Sequence, residues 1–313
     1  MQETYPLIDF KLAKLEEILR TTGLTKNYGR IKAVDSLDLS IERGMVYGIL
    51  GPNGSGKTTT LGMILDVINK TSGEYFWFGE APSKKSRMKI GAILETPVFY
   101  AYLTGQRNLE IIAEIKKATP EAIERVLKQV GLWERKDDPF RTYSLGMKQR
   151  LSIAAALVNE PLVLILDEPT NGLDPQGIAE IRQLIRDIAA SGKTILLASH
   201  LLDEVQKVCS HFGILRRGKL LHSGKVEDVS KQSVAIEVSA EHPDLKDILS
   251  KWEAVEKMVP EKDKLILTMN NGIGGREVNE YLFQSGIIAS HLLTQRKSLE
   301  KQFLEILNED NKG

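Results

Sequence analysis

Residues 45–61, MVYGILGPNGSGKTTTL, constrain this chain more than any other stretch. Met45 to Leu50 is a short apolar run and predicts a buried strand. Gly51-Pro52-Asn53-Gly54-Ser55-Gly56 follows as a glycine-rich turn. Lys57 comes next, and the spacing of TTTLGMILDVI predicts a helix over 58–68. Strand, glycine loop and helix in that order form the context of a phosphate-binding P-loop. Without Cβ atoms the loop can turn its N–H groups inward around phosphate oxygens. The helix N-terminus adds its partial positive charge at the same place. Lys57 is then placed to reach β- and γ-phosphates, and the Thr58 hydroxyl to face Mg²⁺.

The 313 residues suffice for one large or two modest domains, and the formal net charge is zero. That balance removes the usual electrostatic argument for binding nucleic acid or an anionic membrane surface. Cys209 is the one cysteine, so no internal disulfide forms, which fits a reducing cytosol. Its helical setting predicts a buried structural thiol. No apolar stretch approaches the roughly 20 residues that span a bilayer, and the acidic N-terminus lacks a signal-peptide pattern. If the protein serves a membrane process, another chain crosses the membrane.

The pattern along the chain alternates strands and helices. Residues 1–16 form an N-terminal extension. Leu12, Leu15 and Leu19 have helical spacing, which fits a short amphipathic helix and a frayed tail equally. Residues 18–44 predict strand, turn, strand, with Tyr28 as a sheet-edge or core aromatic. SGEYFWFGE and KIGAILE are further strands. The period then changes to helical in TGQRNLEIIAEIKKA and PEAIERVLKQVGL, with Thr104 as an N-cap and Pro120 opening the second helix. This is a helical insertion between sheet segments. Ser144 caps the long helix after it. LVLILD is a buried parallel strand ending at Asp167 and Glu168, and TILLAS is another, ending at His200. An α/β fold with a largely parallel sheet follows for residues 17–228. Residues 229–313 have the order βαββαβ plus a last helix, SLEKQFLEIL, and predict a small ferredoxin-like α+β module with no ligand motif.

Open parallel sheets place ligands at the carboxyl ends of their strands. Three such ends carry chemistry here: the loop at Gly51, Asp167-Glu168, and His200. Asp167 can hold Mg²⁺ opposite Thr58, Glu168 can act as general base on an attacking water, and His200 can contact a γ-phosphate. In isolation, the acids would more simply cap a turn and the histidine would sit satisfied in a core. Their convergence on a P-loop favours the chemical reading.

These residues resemble the ATP-binding subunits of ABC transporters. GPNGSGKT matches Walker A, LVLILDE matches Walker B with the catalytic Glu168, YSLGMKQR occupies the signature position, NGLD matches the D-loop, and His200 the switch histidine. The resemblance implies a P-loop NTPase core over residues 17–228, with ATP and Mg²⁺ as cofactors. It implies that Gly51, Pro52, Asn53, Gly54, Ser55, Gly56, Lys57, Thr58 and Thr59 bind the phosphates and that Tyr28 stacks on adenine. It implies, too, that two copies sandwich two ATP molecules, each site adding Ser144 and Gly146 of the other copy. The partners it implies are a second ATPase subunit and a separate transmembrane permease, which holds the chain at the cytoplasmic face of the membrane. Two positions depart from the family pattern. The signature reads SLGMK, with Leu145 and Met147 at usual glycine and glutamine positions. Glu95 stands where a Q-loop glutamine is usual, beside Mg²⁺, where an acid could either ligate the metal more tightly or repel the γ-phosphate. Both features resemble ATPases of the bacitracin and lantibiotic export or self-immunity type, and the terminal SLEKQFLEIL resembles the tail of drug-export ATPases, so an exporter is expected. A soluble ABC ATPase acting on ribosomes or DNA is the alternative; one cassette, no long heptads and zero net charge disfavour it.

Overall fold

In the computed structural model, residues 16–94, 99–231, 234–261, 264–269 and 273–296 are described. The chain divides into two compact units, residues 1–209 with 213–220, and residues 210–212 with 221–313.

The first unit opens with β1 (Glu17–Tyr28) and β2 (Ile31–Glu42), an antiparallel pair reversing at Gly29. Leu19, which shares helical spacing with Leu12 and Leu15, lies wholly buried in β1 opposite Ile41. Strand pairing overrides the local period there. β3 (Val46–Leu50) leads into α1 (Lys57–Ile64), followed by β4 (Ser72–Trp77), a short α2 (Lys84–Arg87) and β5 (Ile90–Ile93). The helical insertion is α3 (Gly105–Lys116) and α4 (Pro120–Gln129). Thr104 caps α3 by accepting the Arg107 N–H at 3.1 Å. Then come α5 (Leu145–Leu157), β6 (Val163–Asp167), α6 (Pro175–Ala190), β7 (Thr194–Ser199) and α7 (Leu202–Val208). Asp174 caps α6, and Gly192 (φ +86°) takes the left-handed turn after it.

With β8 (His211–Arg216) and β9 (Lys219–Lys225), the large sheet has the order β5-β6-β7-β3-β8-β9. Its β5, β6, β7 and β3 are parallel. β2-β1-β4 form a separate antiparallel sheet. One hydrophobic core joins the two sheets through α1: Leu61, Met63 and Ile64 pack with Leu19, Leu37 and Trp77 on one side and with Ile49, Ile165 and Leu196 on the other. Every residue of α1 from Thr60 to Ile64 is buried, so the helix is anchored between the sheets, and it carries the P-loop at its N-terminus. α1 ends at Ile64, short of the helix expected over 58–68. The Ile64 carbonyl accepts the buried Trp77 indole N–H at 2.7 Å, and Asp66 turns left-handed (φ +63°). That lets the Val67 and Ile68 N–H groups fold back onto the Gly62 carbonyl. A tertiary contact takes the carbonyl where helical spacing alone predicts continuation.

Cys209 is buried at the end of α7, and its thiol is pushed well above its usual range by burial and then by the charge of Glu204. A thiol-reactive probe should therefore leave the native protein essentially unlabelled and react stoichiometrically in denaturant; rapid native labelling would contradict this burial.

The second unit includes α8 (Val226–Lys231), β10 (Val234–Ser239), α9 (Leu245–Ser250), β11 (Val255–Glu261), β12 (Lys264–Met269), α10 (Gly275–Gln284) and β13 (His291–Arg296). The sheet order is β11-β12-β10-β13, with every pairing antiparallel. That is the ferredoxin-like arrangement expected of a βαββαβ order. Ile236, Val238, Leu249, Leu267, Val278 and Leu282 form its core. Trp252 stacks on Tyr281 with centroids 4.1 Å apart. The final helix expected at SLEKQFLEIL lies outside the described residues, as do residues 1–15.

Candidate active site

Every residue of β3 is buried, and the chain leaves it directly into the glycine loop. A Cβ on Gly51 would lie 2.2 Å from the Leu215 carbonyl oxygen. On Gly56 (φ +107°), the N-cap of α1, it would lie 2.4 Å from the Ala33 carbonyl oxygen. Both positions require glycine for space, and Gly56 for backbone conformation as well. A glycine N-cap supplies no side-chain acceptor, so the first N–H groups of α1 suit an anion. Lys57 is the first residue of α1 and 5% exposed. Its ammonium donates to the Gly51 carbonyl at 2.8 Å and the Pro52 carbonyl at 3.3 Å, and lies 3.3 Å from Glu168 Oε1. Thr58 Oγ1 donates to Asp167 Oδ2 at 2.7 Å.

The parallel register brings the other residues alongside. Asp167, the last residue of β6, pairs with Ala198 of β7. The next residue, Glu168, has a left-handed backbone (φ +47°) and donates its N–H to the Ala198 carbonyl at 2.9 Å. Glu168 Oε2 faces His200 Nδ1 at 2.7 Å and accepts the His200 N–H at 3.3 Å. Lys57, Thr58, Asp167, Glu168 and His200 thus form one hydrogen-bonded cluster at the carboxyl ends of β3, β6 and β7.

Ser144 and Gly146 lie elsewhere. Ser144 caps α5 by accepting the Met147 N–H at 3.2 Å. Together they line an open cavity of about 510 Å³ with Leu145, Gly172, Leu173 and Asp174, and no residue of the cluster lines it. Leu145 is half exposed and reaches Gly172: a Cβ there would stand 3.3 Å from Leu145 Cδ2. Tyr28 ends β1, 48% exposed, with the Lys26 ammonium 4.8 Å from its ring centroid. Glu95 lies outside the described residues.

Sequence reasoning missed Glu204. It is fully buried in the first turn of α7, and it binds Thr170 and Ser199. The available signal was helical period: Glu204 falls with Leu201, Val205 and Val208 at i, i+3, i+4, i+7 spacing, and Glu204, Val205 and Val208 are the buried residues of α7.

The family model for ABC transporters matches residues 34–171. The bacitracin transport ATP-binding protein BcrA of Bacillus licheniformis is 38% identical over 313 residues, spanning 94% of this chain and 98% of that one. The chain belongs to the ATP-binding proteins of ABC transporters. BcrA of Enterococcus faecalis is 34% identical over 94% of this chain and 97% of its own. The lantibiotic transport ATP-binding protein SrtF of Streptococcus pyogenes is 38% identical over 65% of this chain and 89% of its own. Among solved structures, cbiO1 of Clostridium perfringens, part of the ABC transporter complex cbiONQ, is 32% identical with a TM-score of 0.63, covering 68% of this chain and 90% of that one. A dimeric ATP-binding cassette in a post-hydrolysis state bound to ADP and Pi is 25% identical with a TM-score of 0.59, over 67% of this chain and 99% of that one. This ABC ATPase binds and hydrolyses ATP, as the Walker A loop and the acids at the end of β6 indicated.

Proposed function

We propose that the ABC ATPase drives a separate transmembrane permease that exports a peptide antibiotic, a drug or a similar compound. The relatives named for bacitracin and lantibiotic transport support this reading. No helix of the described residues is long and apolar enough to cross a membrane. In this reading the bilayer-crossing chain is the separate permease, with the ATPase peripheral to it at the cytoplasmic face. Residues 17–228 are the ATPase domain and 229–313 an accessory module.

The observation that carries the mechanism is the division of donors within one chain. Lys57, Thr58, Asp167, Glu168 and His200 meet at one place, whereas Ser144 and Gly146 open onto a different cavity. A second copy, docked head to tail, brings Ser144 and Gly146 to the γ-phosphate of the first. Gly51 to Thr59 wrap the phosphates, Lys57 neutralises the β- and γ-oxygens, and Tyr28 stacks on adenine. Glu168 takes a proton from water as its oxygen bonds the γ-phosphorus and the bond to ADP breaks. His200, held by Glu168, contacts the γ-phosphate. The Thr58 hydroxyl and the Asp167 carboxylate are hard oxygens already 2.7 Å apart and fit Mg²⁺, with Glu95 as a further ligand. When bound, Mg²⁺ neutralises charge on the β- and γ-phosphates.

The test is affinity capture from detergent-solubilised native membranes, with ATPase activity assayed on the eluate. A polytopic membrane protein that raises the activity is the expected result. Elution with ribosomes or DNA would overturn the transport reading and leave the ATP site standing. For Tyr28, replacement by Ala removes about 1–3 kcal/mol of base stacking. The expected result is a KM for ATP raised about fivefold or more with kcat little changed; an unchanged KM would take adenine off this ring.

A further inference from the structure

We propose that Glu204 is a positioning residue for hydrolysis, tying the loop after β6 to the loop after β7 so that Glu168 and His200 keep their mutual geometry. The proposal rests on the roles given above to those two residues.

The parallel ladder between the strands ends at Asp167 and Ala198, with one more bond from the Glu168 N–H to the Ala198 carbonyl. Past that point side chains join the two loops. One link is Glu168 to His200, whose ring is partly exposed to water. The other is Glu204. Its Oε1 accepts the Thr170 hydroxyl at 2.7 Å, and its Oε2 accepts the Ser199 hydroxyl in a shorter contact. Ser199 Oγ in turn accepts the Leu201 N–H at 3.0 Å. Thr170 is two residues beyond Glu168, and Ser199 directly precedes His200, so one carboxylate holds both loops within two residues of the pair. Thr170, Ser199 and Glu204 are 3%, 0% and 0% exposed.

Burying a carboxylate is costly, and apolar side chains would join two loops more cheaply. What a carboxylate adds is direction. Two oxygens, each committed to one hydroxyl, fix the distance and the angle between the loops in a low-dielectric interior where such bonds are strong. Burial raises the Glu204 carboxyl above its usual range; the Ser199 and Thr170 hydroxyls and then Arg182 draw it back, while Glu168 raises it further. Because Glu204, Ser199 and Thr170 are all buried, losing the carboxylate leaves the two hydroxyl protons without their acceptor.

The test compares kcat, KM for ATP and thermal midpoint in the full-length wild type, Glu204→Ala, His200→Ala and the double variant. Loss of pre-organised geometry costs up to about a hundredfold in rate. Glu204→Ala is therefore expected to lower kcat about ten- to a hundredfold, with KM within about twofold. In the His200→Ala background the same change should cost much less, because residues acting through one contact are not additive. Glu204→Gln keeps an acceptor oxygen and should restore most of kcat. An unchanged kcat in Glu204→Ala, its full factor retained in the His200→Ala background, or a Gln variant as slow as Ala would each overturn the proposal. If Glu204→Ala does not fold, Thr170→Val and Ser199→Ala each remove one hydroxyl; both are expected to lower kcat at constant KM, and wild-type kcat in both overturns it. Glu168→Gln run in parallel separates the two assignments. Wild-type turnover there removes the base itself, and this proposal falls with it; slow turnover with Glu204→Ala unaffected removes only the proposal.

Discussion

Replacing Glu168 by Gln should slow ATP turnover by about 10²- to 10⁴-fold, the range lost with a positioned general base, while ATP stays bound. The geometry argues for so selective an effect. Gln is nearly isosteric and its amide oxygen can still face His200 Nδ1, now 2.7 Å from Glu168 Oε2. The ion pair with Lys57 is lost, but Lys57 keeps the Gly51 and Pro52 carbonyls as acceptors, so the P-loop retains its lysine in place. What disappears is the carboxylate that can take a proton from water. Single-turnover phosphate release and equilibrium nucleotide binding, measured on the same preparation, check this. Phosphate release at the wild-type rate would remove Glu168 from the role of base.

Gly56→Ala should abolish measurable nucleotide binding and destabilise the domain by about 2–5 kcal/mol, the sum of a strained backbone and an overpacked contact. The two terms can be separated within the same loop. Gly56 has φ +107° and a Cβ there would sit 2.4 Å from the Ala33 carbonyl oxygen, which is backbone and cannot swing aside. Gly54 has φ +77° but no atom within 4 Å of its Cβ position. Gly54→Ala therefore carries only the left-handed backbone term, about 1–2 kcal/mol. Denaturant midpoints for both variants, with nucleotide binding alongside, provide the comparison. Equal losses at the two glycines would mean that contact with Ala33 is not what demands glycine at position 56.

Several features of this molecule follow from adjacent residues and were legible at once. The P-loop is one continuous stretch whose chemistry needs only its own backbone. The caps at Thr104 and Ser144 are likewise local, each side chain reaching an N–H three residues on. Buried parallel strands announce themselves as unbroken apolar runs, and both β6 and β7 are buried at every position. The βαββαβ order of the second unit could be read from alternating periods, and its antiparallel sheet order agrees.

Other features depend on what distant segments do to one another. Leu19 shares helical spacing with Leu12 and Leu15 and also falls in the strand expected from residue 18; pairing with β2 and β4 decides for strand. The same spacing carried α1 to residue 68, but the Trp77 indole takes the Ile64 carbonyl and the helix stops. Nothing near Lys57 shows that its ammonium lies beside Glu168, 111 positions along the chain by their numbers, because that contact comes from the order of strands in the sheet. The link from Thr170 through Glu204 to Ser199 is the clearest case. A glutamate has the same composition signature whether it is solvated or sealed in a core, and only the register of β6 against β7, with α7 packed behind, takes this one out of water. Sequence thus determines the chemistry each loop can offer, since that resides in side chains and local backbone. Which loops face one another, and at what distance, is set by strand order, register and burial, which are properties of the packed sheet.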